Sequence, residues 1–337
     1  MTTNQPQVAG WRSSDYGIQD PTAVYQGNYT YYVQAAKGMT LKFPGSNPGA
    51  LYTIGYIEET RLDPSGIYFP AELASTFSGV AHVGFDDAGV QTDPEVMLSA
   101  FDNANMSIIL GIEPGFVDIP TVATKLLTKY KNHQCVKGMS IDCEWLRYTP
   151  PNSGTVTMTT AEVAAFYNAV KAVNPNYKVM IKHFDASKLP KGISGVTYLT
   201  DTCGFTSYSE AISAYIDWAN SFSGSEVAYQ LGYDQLECSE DPSWWLDLAP
   251  KPGYGEAARQ IYNSISSAIT NPIYSVYWVD FTILTQFPID YVAPPSTDDK
   301  FSVCQLGPDG VTVVRSVNGT QTATQASQSV ANILNTL

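Results

Sequence analysis

Eight short apolar or β-branched runs, each closing on polar or acidic residues, recur along this chain with helix-forming stretches between them. This alternation restricts the fold more than any other feature, because strands separated by helices pair in parallel and take those helices as their cover. The runs are Leu51–Glu58, Val80–Asp86, Ser107–Glu113, Val136–Glu144, Lys178–His183, Gly195–Asp201, Glu226–Gly232 and Ser275–Phe281. Eight such units in 337 residues predict an α/β protein with a single (β/α)8 TIM barrel over residues 51–299. Residues 1–50 do not fit the repeat and read as an N-terminal extension packed on the barrel. Residues 300–337 read as a C-terminal extension, with a hairpin turn at Gly307-Pro308-Asp309-Gly310 and a helix from Gln321 to Leu337.

Helix signals punctuate the intervals. Thr159-x-x-Glu162 is a capping box, after which Val163, Phe166, Tyr167 and Val170 share one face. Asn174-Pro175 ends that helix. Ser207-x-x-Glu210 opens a second, with Ala211, Ile212, Tyr215 and Trp218 on one face, and Pro120 suits a first helical turn before Val122, Leu126 and Tyr130. A further helix runs from Gly255-Glu256 to Ile269.

Composition narrows the function classes. With 44% hydrophobic and 15% charged residues the chain has enough apolar material for a large core, and no apolar run approaches the roughly 20 residues of a membrane helix. A net charge of −14 argues against nucleic acid and anionic membranes as partners, because those surfaces demand a dense basic patch. The 22 Tyr and 6 Trp fit core filling first and stacking on sugar rings second. The start of the sequence has no basic and apolar leader, while sequons at Asn28, Asn105 and Asn318 and linkers rich in Ser, Thr, Asn and Pro point to a secreted protein. Five scattered cysteines make no C-x-x-C pair; Cys203 with Cys238 is the preferred bridge in an oxidising compartment, against five buried thiols.

In a (β/α)8 barrel the reactive groups come from the C-terminal ends of the strands and the loops after them. Here those ends carry Glu58 and Glu59, Asp86 and Asp87, Glu113, Asp142 and Glu144, Asp201, Asp234 and Asp280. The sharpest segment is Val136-Lys137-Gly138-Met139-Ser140-Ile141-Asp142-Cys143-Glu144-Trp145. Side chains alternate along a strand, so Asp142 and Glu144 point to one side, about 6–7 Å apart along the backbone, with Ile141 and Cys143 toward the helices. Crowding two carboxyl groups raises the proton affinity of one, which lets an acid stay protonated near neutral pH and protonate a glycosidic oxygen. A salt-bridged strand end is the plainer alternative.

This segment resembles the fourth strand of family 18 chitinases and chitinase-like barrels, D-x-x-D-x-D-x-E. Asp142 and Glu144 stand at its last two acidic positions, and Lys137 and Ser140 at the first two. The resemblance implies Glu144 as general acid/base and Asp142 as the group that orients a substrate N-acetyl nucleophile. Family 25 lysozyme-type barrels share the shorter D-x-E. A second point of resemblance is Tyr274-Ser275-Val276-Tyr277-Trp278-Val279-Asp280-Phe281, in which Trp278 would floor the subsite of the reacting sugar, with Tyr198 or Tyr208 near its N-acetyl group.

Position alone adds Lys182, placed to contact the carboxylate pair, and Glu113, Asp201 and Asp280 as alternative nucleophiles. Trp145, Gln230, Tyr233, Glu58 and Asp86 are candidates for sugar binding, His183 a weaker catalytic candidate, and Trp244-Trp245 either a ring platform or packing. His82, His133 and His183 show no metal-ligand spacing, and no Walker loop, G-x-G-x-x-G or G-x-S-x-G occurs. No cofactor is expected and no metal site is read; a carboxylate-bound Ca²⁺ or Mg²⁺ at the acidic rim stays open. The expectation is a glycoside hydrolase acting on a polysaccharide, an amino-sugar polymer suiting the acidic mouth. Its rival is a non-catalytic chitinase-like glycan-binding protein, and a structural surface component is a third class.

Overall fold

The computed structural model describes residues 5–14, 29–58, 63, 66–86, 93–200, 204–232, 244–248, 253–280, 282, 283, 287, 300–307 and 310–318, the last two segments as backbone. Eight parallel strands close on themselves: β1 (Val8–Arg12), β2 (Asn47–Ile57), β5 (Ser107–Ile112), β6 (Val136–Asp142), β7 (Lys178–His183), β8 (Val196–Thr200), β9 (Glu226–Leu231) and β10 (Ile273–Val279). The barrel closes because β1 pairs with both β2 and β10. Around it lie α1 (Tyr29–Lys42), α2 (Pro94–Asn103), α3 (Ile119–Tyr130), α4 (Thr160–Val173), α5 (Tyr208–Ser221) and α6 (Tyr254–Ser266). Between β7 and β8 the described chain makes only a short 3₁₀ turn, Ala186–Lys188.

This is the expected (β/α)8 architecture with one strand reassigned. The first barrel strand is β1, inside the segment read as an N-terminal extension. The Val80–Asp86 run contributes β4 (Val83–Phe85), which pairs with β3 (Ile67–Phe69) in an excursion between β2 and α2. Val8-Ala9-Gly10-Trp11-Arg12 escaped notice because it is five residues long and ends on a cation and two serines instead of an acid. At the other end of the chain β11 (Lys300–Gly307) and β12 (Gly310–Asn318) form the antiparallel hairpin, while the Gln321–Leu337 helix lies outside the described residues.

Alternation along the strands divides the interior in two. One set, Val8, Leu51, Ile109, Met180, Leu199, Ala228, Tyr274 and Tyr277, comes from seven strands and fills the lumen. The other, including Trp11, Tyr52, Leu110, Ile141, Ile181, Tyr198, Tyr229 and Trp278, packs against the helices. The helix boundaries follow their caps: Asp118 accepts from Thr121 N–H ahead of Ile119-Pro120, and Thr159 with Glu162 forms the complete capping box. Val163, Phe166 and Val170 are buried on the face the sequence pattern marked.

At the N-terminal end of the lumen the backbones approach so closely that only glycine fits. A Cβ on Gly138 would stand 2.2 Å from the Lys178 carbonyl oxygen, and one on Gly10 would stand 1.8 Å from that of Gly49. Neighbouring backbone in a closed barrel cannot step aside. Gly138→Ala is therefore expected to lower stability by about 1–3 kcal/mol, as overpacking does, without loss of the barrel's circular-dichroism signature; urea unfolding measures it.

Candidate active site

Four ionisable side chains meet in the lumen at the C-terminal end of the strands. Arg12 comes from β1, Glu113 follows β5, Asp142 ends β6 and Lys182 lies on β7, each at most 4% to 6% exposed. Lys182 Nζ stands 2.5 Å from Asp142 Oδ2, a contact set by the register that puts the two residues side by side. The Arg12 guanidinium lies 3.8 Å from the same oxygen and 4.0 Å from Glu113 Oε1. Glu113 Oε2 accepts the Ile57 N–H at 2.7 Å, which ties the third strand's end to the second's. Two cations and two anions make the group electrically neutral. Burial of charges on this scale adds little to net stability, because desolvation offsets the attraction between them.

Asp142 also ends its strand. Its Oδ1 accepts the N–H of Glu144 at 3.3 Å and caps a 3₁₀ turn, Cys143–Trp145. The strand therefore stops two residues before the expected Glu144, and the alternation that would put Asp142 and Glu144 on one strand face does not apply. Cys143 stays buried with its sulfur 3.4 Å from Met158 Sδ, whereas Glu144 and Trp145 are half-buried at the rim. The crowding argument falls as well, since Lys182 and Arg12 neutralise Asp142.

Glu144 is held from its far side. Ser153 Oγ donates to Oε1 at 3.1 Å, and the Glu144 carbonyl accepts the Gly154 N–H at 2.8 Å. Gly154 has φ +68°, and a Cβ there would meet the Phe184 ring at 2.5 Å, so that ring lies directly on the loop supporting Glu144. On the other flank Gly115 N–H donates to the Trp145 carbonyl and Arg147 N–H to the Gly115 carbonyl, next to Phe116. Phe116 and Phe184 are 42% and 44% exposed and stand after the third and fifth strands, on either side of the Glu144 turn. The sequence reading missed both, and Arg12 with them.

Several expected sugar contacts face away from the mouth. Trp278 is fully buried on the helical side, its Nε1 donating to the Tyr254 carbonyl and its ring against Trp245 and Phe287, so it cannot floor a subsite. Strand alternation explains this, because Tyr277 takes the lumen position next to it. Tyr198 stacks on Phe222, and Tyr208 bonds to Ser264, both in the helical layer. Trp244 and Trp245 are buried packing residues. His183 is fully buried and accepts the Asp185 N–H at Nδ1, a structural role. Gln230 is buried on the lumen face of β9; Asp280 is buried and accepts from Ser14 at 2.6 Å; Asp86 is buried and accepts from Tyr56 at 2.6 Å; Glu58 is half-buried after β2. Asp201, Tyr233, Cys203 and Cys238 lie outside the described residues.

No family model and no curated protein matches this chain. Among solved structures it is similar to a β-glucuronidase of Parabacteroides merdae, with 10% identity and a TM-score of 0.44 over 82% of this chain and 33% of that one. It is also similar to a GH20 β-N-acetylhexosaminidase from Streptomyces coelicolor A3(2), with 11% identity, a TM-score of 0.38 and coverage of 81% and 59%. An arabinofuranosidase follows with 11% identity, a TM-score of 0.39 and coverage of 87% and 68%. These neighbours are glycoside hydrolases of different families, and the chain spans about a third of the length of the glucuronidase.

Two tests of the network follow. Lys182→Met removes the nearer of the two cations beside Asp142 and should lower stability by about 3–5 kcal/mol, with part regained in the double variant Asp142→Asn/Lys182→Met; urea unfolding reads both. The second concerns Glu162, which pairs with Arg147 just beyond the Glu144 turn. Burial raises its carboxyl, but the Thr159 N–H and hydroxyl and the Arg147 guanidinium outweigh that and hold it below the ordinary Glu range. A lowered folded value gives stabilisation that is present above the ordinary value of about 4.3 and lost as pH falls through the folded one. Unfolding free energy should thus fall less steeply with acid in Glu162→Gln than in wild type.

Proposed function

We propose that this protein is a glycoside hydrolase that cleaves O-glycosidic bonds in a polysaccharide, with Glu144 as general acid/base. The observation that carries the proposal is a half-buried carboxyl at the barrel's C-terminal rim, set beside a buried, charge-balanced network and between two exposed aromatic rings. A general acid must reach the glycosidic oxygen and exchange its proton with water, which Glu144 alone among the described carboxylates of this cluster is exposed enough to do. Asp142 has another task. Held by Lys182 and Arg12, it fixes the turn that carries Glu144 and stabilises the positive charge that develops on the sugar ring. Phe116, Phe184 and Trp145 supply ring faces for stacking.

The nucleophile is the substrate's acetamido oxygen or a carboxylate such as Glu113, and the two routes differ in whether the substrate must carry an N-acetyl group. An amino-sugar polymer fits an acidic chain of net charge −14. The second reading, a glycan-binding protein without turnover, is favoured by Ser140, which stands where the chitinase-like motif has its middle Asp.

A panel of polysaccharides incubated with wild type and Glu144→Gln separates these readings. Hydrolysis predicts turnover by wild type that drops by at least about 10²–10⁴-fold in the variant, with glycan affinity retained. Equal binding and no turnover by either protein establishes the binding role, and no saccharide binding at all leaves a structural component.

A further inference from the structure

A second constellation lies at the opposite rim, where the strands begin. Asp102 in the last turn of α2, His133 in the loop after α3 and Cys135 just before β6 bring one oxygen, one nitrogen and one sulfur within 4.8 Å of one another. Asp102 Oδ1 accepts the Cys135 N–H at 2.6 Å, which fixes the carboxylate, and its Oδ2 faces His133 Nδ1 at 2.7 Å. On the other side of the ring His133 Nε2 faces Glu95 Oε1 at 3.0 Å, and Lys129 Nζ lies 3.6 Å from the second Glu95 oxygen.

We propose that Asp102, His133 and Cys135 bind a zinc ion, with water as fourth ligand and Glu95 as the support of the histidine ring. The donor set is a mixed oxygen, nitrogen and sulfur group of the kind tetrahedral Zn²⁺ accepts, and bond lengths of about 2.0–2.3 Å need ligand atoms about 3.3–3.8 Å apart, so the Asp102–His133 pair, now at 2.7 Å, opens by about half an ångström to admit the ion while the sulfur stays within 4.8 Å of both or draws closer. Glu95 is placed to receive the proton of Nε2, so that Nδ1 presents its lone pair to the ion, the arrangement in which a carboxylate behind a metal-bound histidine sets its tautomer. The Cys135 thiol, which donates to the Leu98 carbonyl at 3.5 Å, gives up its proton to solvent as the ion binds, after which charges balance: a divalent ion meets one carboxylate and one thiolate, and Glu95 keeps Lys129. Solvent reaches the cluster past Glu95, which is half exposed, while the Cys135 side is closed. Sequence spacing hides the site, because Asp102 is brought to His133 and Cys135 by the packing of α2 across the start of β6.

The test is titration of the full chain, first stripped with a chelator, with Co²⁺ and then Zn²⁺. Expected are a thiolate-to-cobalt charge-transfer band in the near ultraviolet and tetrahedral d–d bands at one ion per chain. Zn²⁺ should displace them, and should raise Tm by about 4 °C at a free concentration 100 times its Kd. Cys135→Ser must abolish the charge-transfer band and His133→Gln must weaken binding at least tenfold. Should either variant fail to fold, X-ray absorption on the wild-type zinc form decides, with one sulfur and at least one imidazole required in the shell. No thiolate band in wild type, a band that survives Cys135→Ser, or a shell without sulfur overturns the proposal.

Discussion

The carboxylate of Asp142 is the point on which fold and site both depend. One oxygen meets Lys182 from the next strand and Arg12 from the first, and the other ends its own strand by receiving the Glu144 N–H. In a lumen closed to water each of these charges needs its partners, so the network constrains how the strands pair. A slip of β6 by one residue would turn Asp142 toward the apolar helical layer and away from Lys182, which makes the register of β6 on β7 a matter of charge as much as of packing. Arg12 extends that constraint to the seam where the barrel closes, because it reaches Asp142 and Glu113 only from a strand lodged between β10 and β2.

The same interaction separates the settings of the two acids. Asp142 is buried beside Lys182 and Arg12. Glu144, one residue into a turn, leaves the network and gains solvent. Its position depends on contacts outside the strand: Ser153 on its carboxyl, Gly154 on its carbonyl and the Phe184 ring beneath that loop. The lumen below is filled by an apolar layer, so any substrate chemistry is confined to the upper rim.

The architecture was legible in the sequence because apolar runs and helix caps are local signals. Seven of the eight strands and the capping box at Thr159 fall where those signals put them. The missed strand, Val8–Arg12, is too short to show a period, and its identity is decided by closure, a property of the whole barrel. The site was legible as a set of residue types and less so as directions. Asp142, Lys182 and Glu113 meet because alternation along parallel strands is reliable up to the strand's end. Glu144 and Trp278 went astray for opposite reasons: the strand ended before the first, and the face of the second was assigned from resemblance although alternation with Tyr277 places it outward. Five of the six Trp are buried, so most of the tryptophan is packing, and Trp145 is joined at the mouth by two phenylalanines, Phe116 and Phe184, that composition does not single out.

The two departures from the chitinase-like motif carry unequal weight once they are placed. Lys137 lies at the start of β6, exposed, with its Nζ on the Gln134 carbonyl, a strand's length from the mouth. It cannot affect chemistry at the other end. Ser140 is buried two residues below Asp142 on the same lumen face, where an aspartate would crowd a second negative charge beneath the first. In this chain the second anion is Glu113, at the end of the neighbouring strand β5, and Arg12 reaches both it and Asp142, at 4.0 and 3.8 Å. The two carboxylates are thereby bridged by one guanidinium, and Asp142 and Glu144 come to occupy different surroundings, the first within the buried cluster and the second on the turn at the rim.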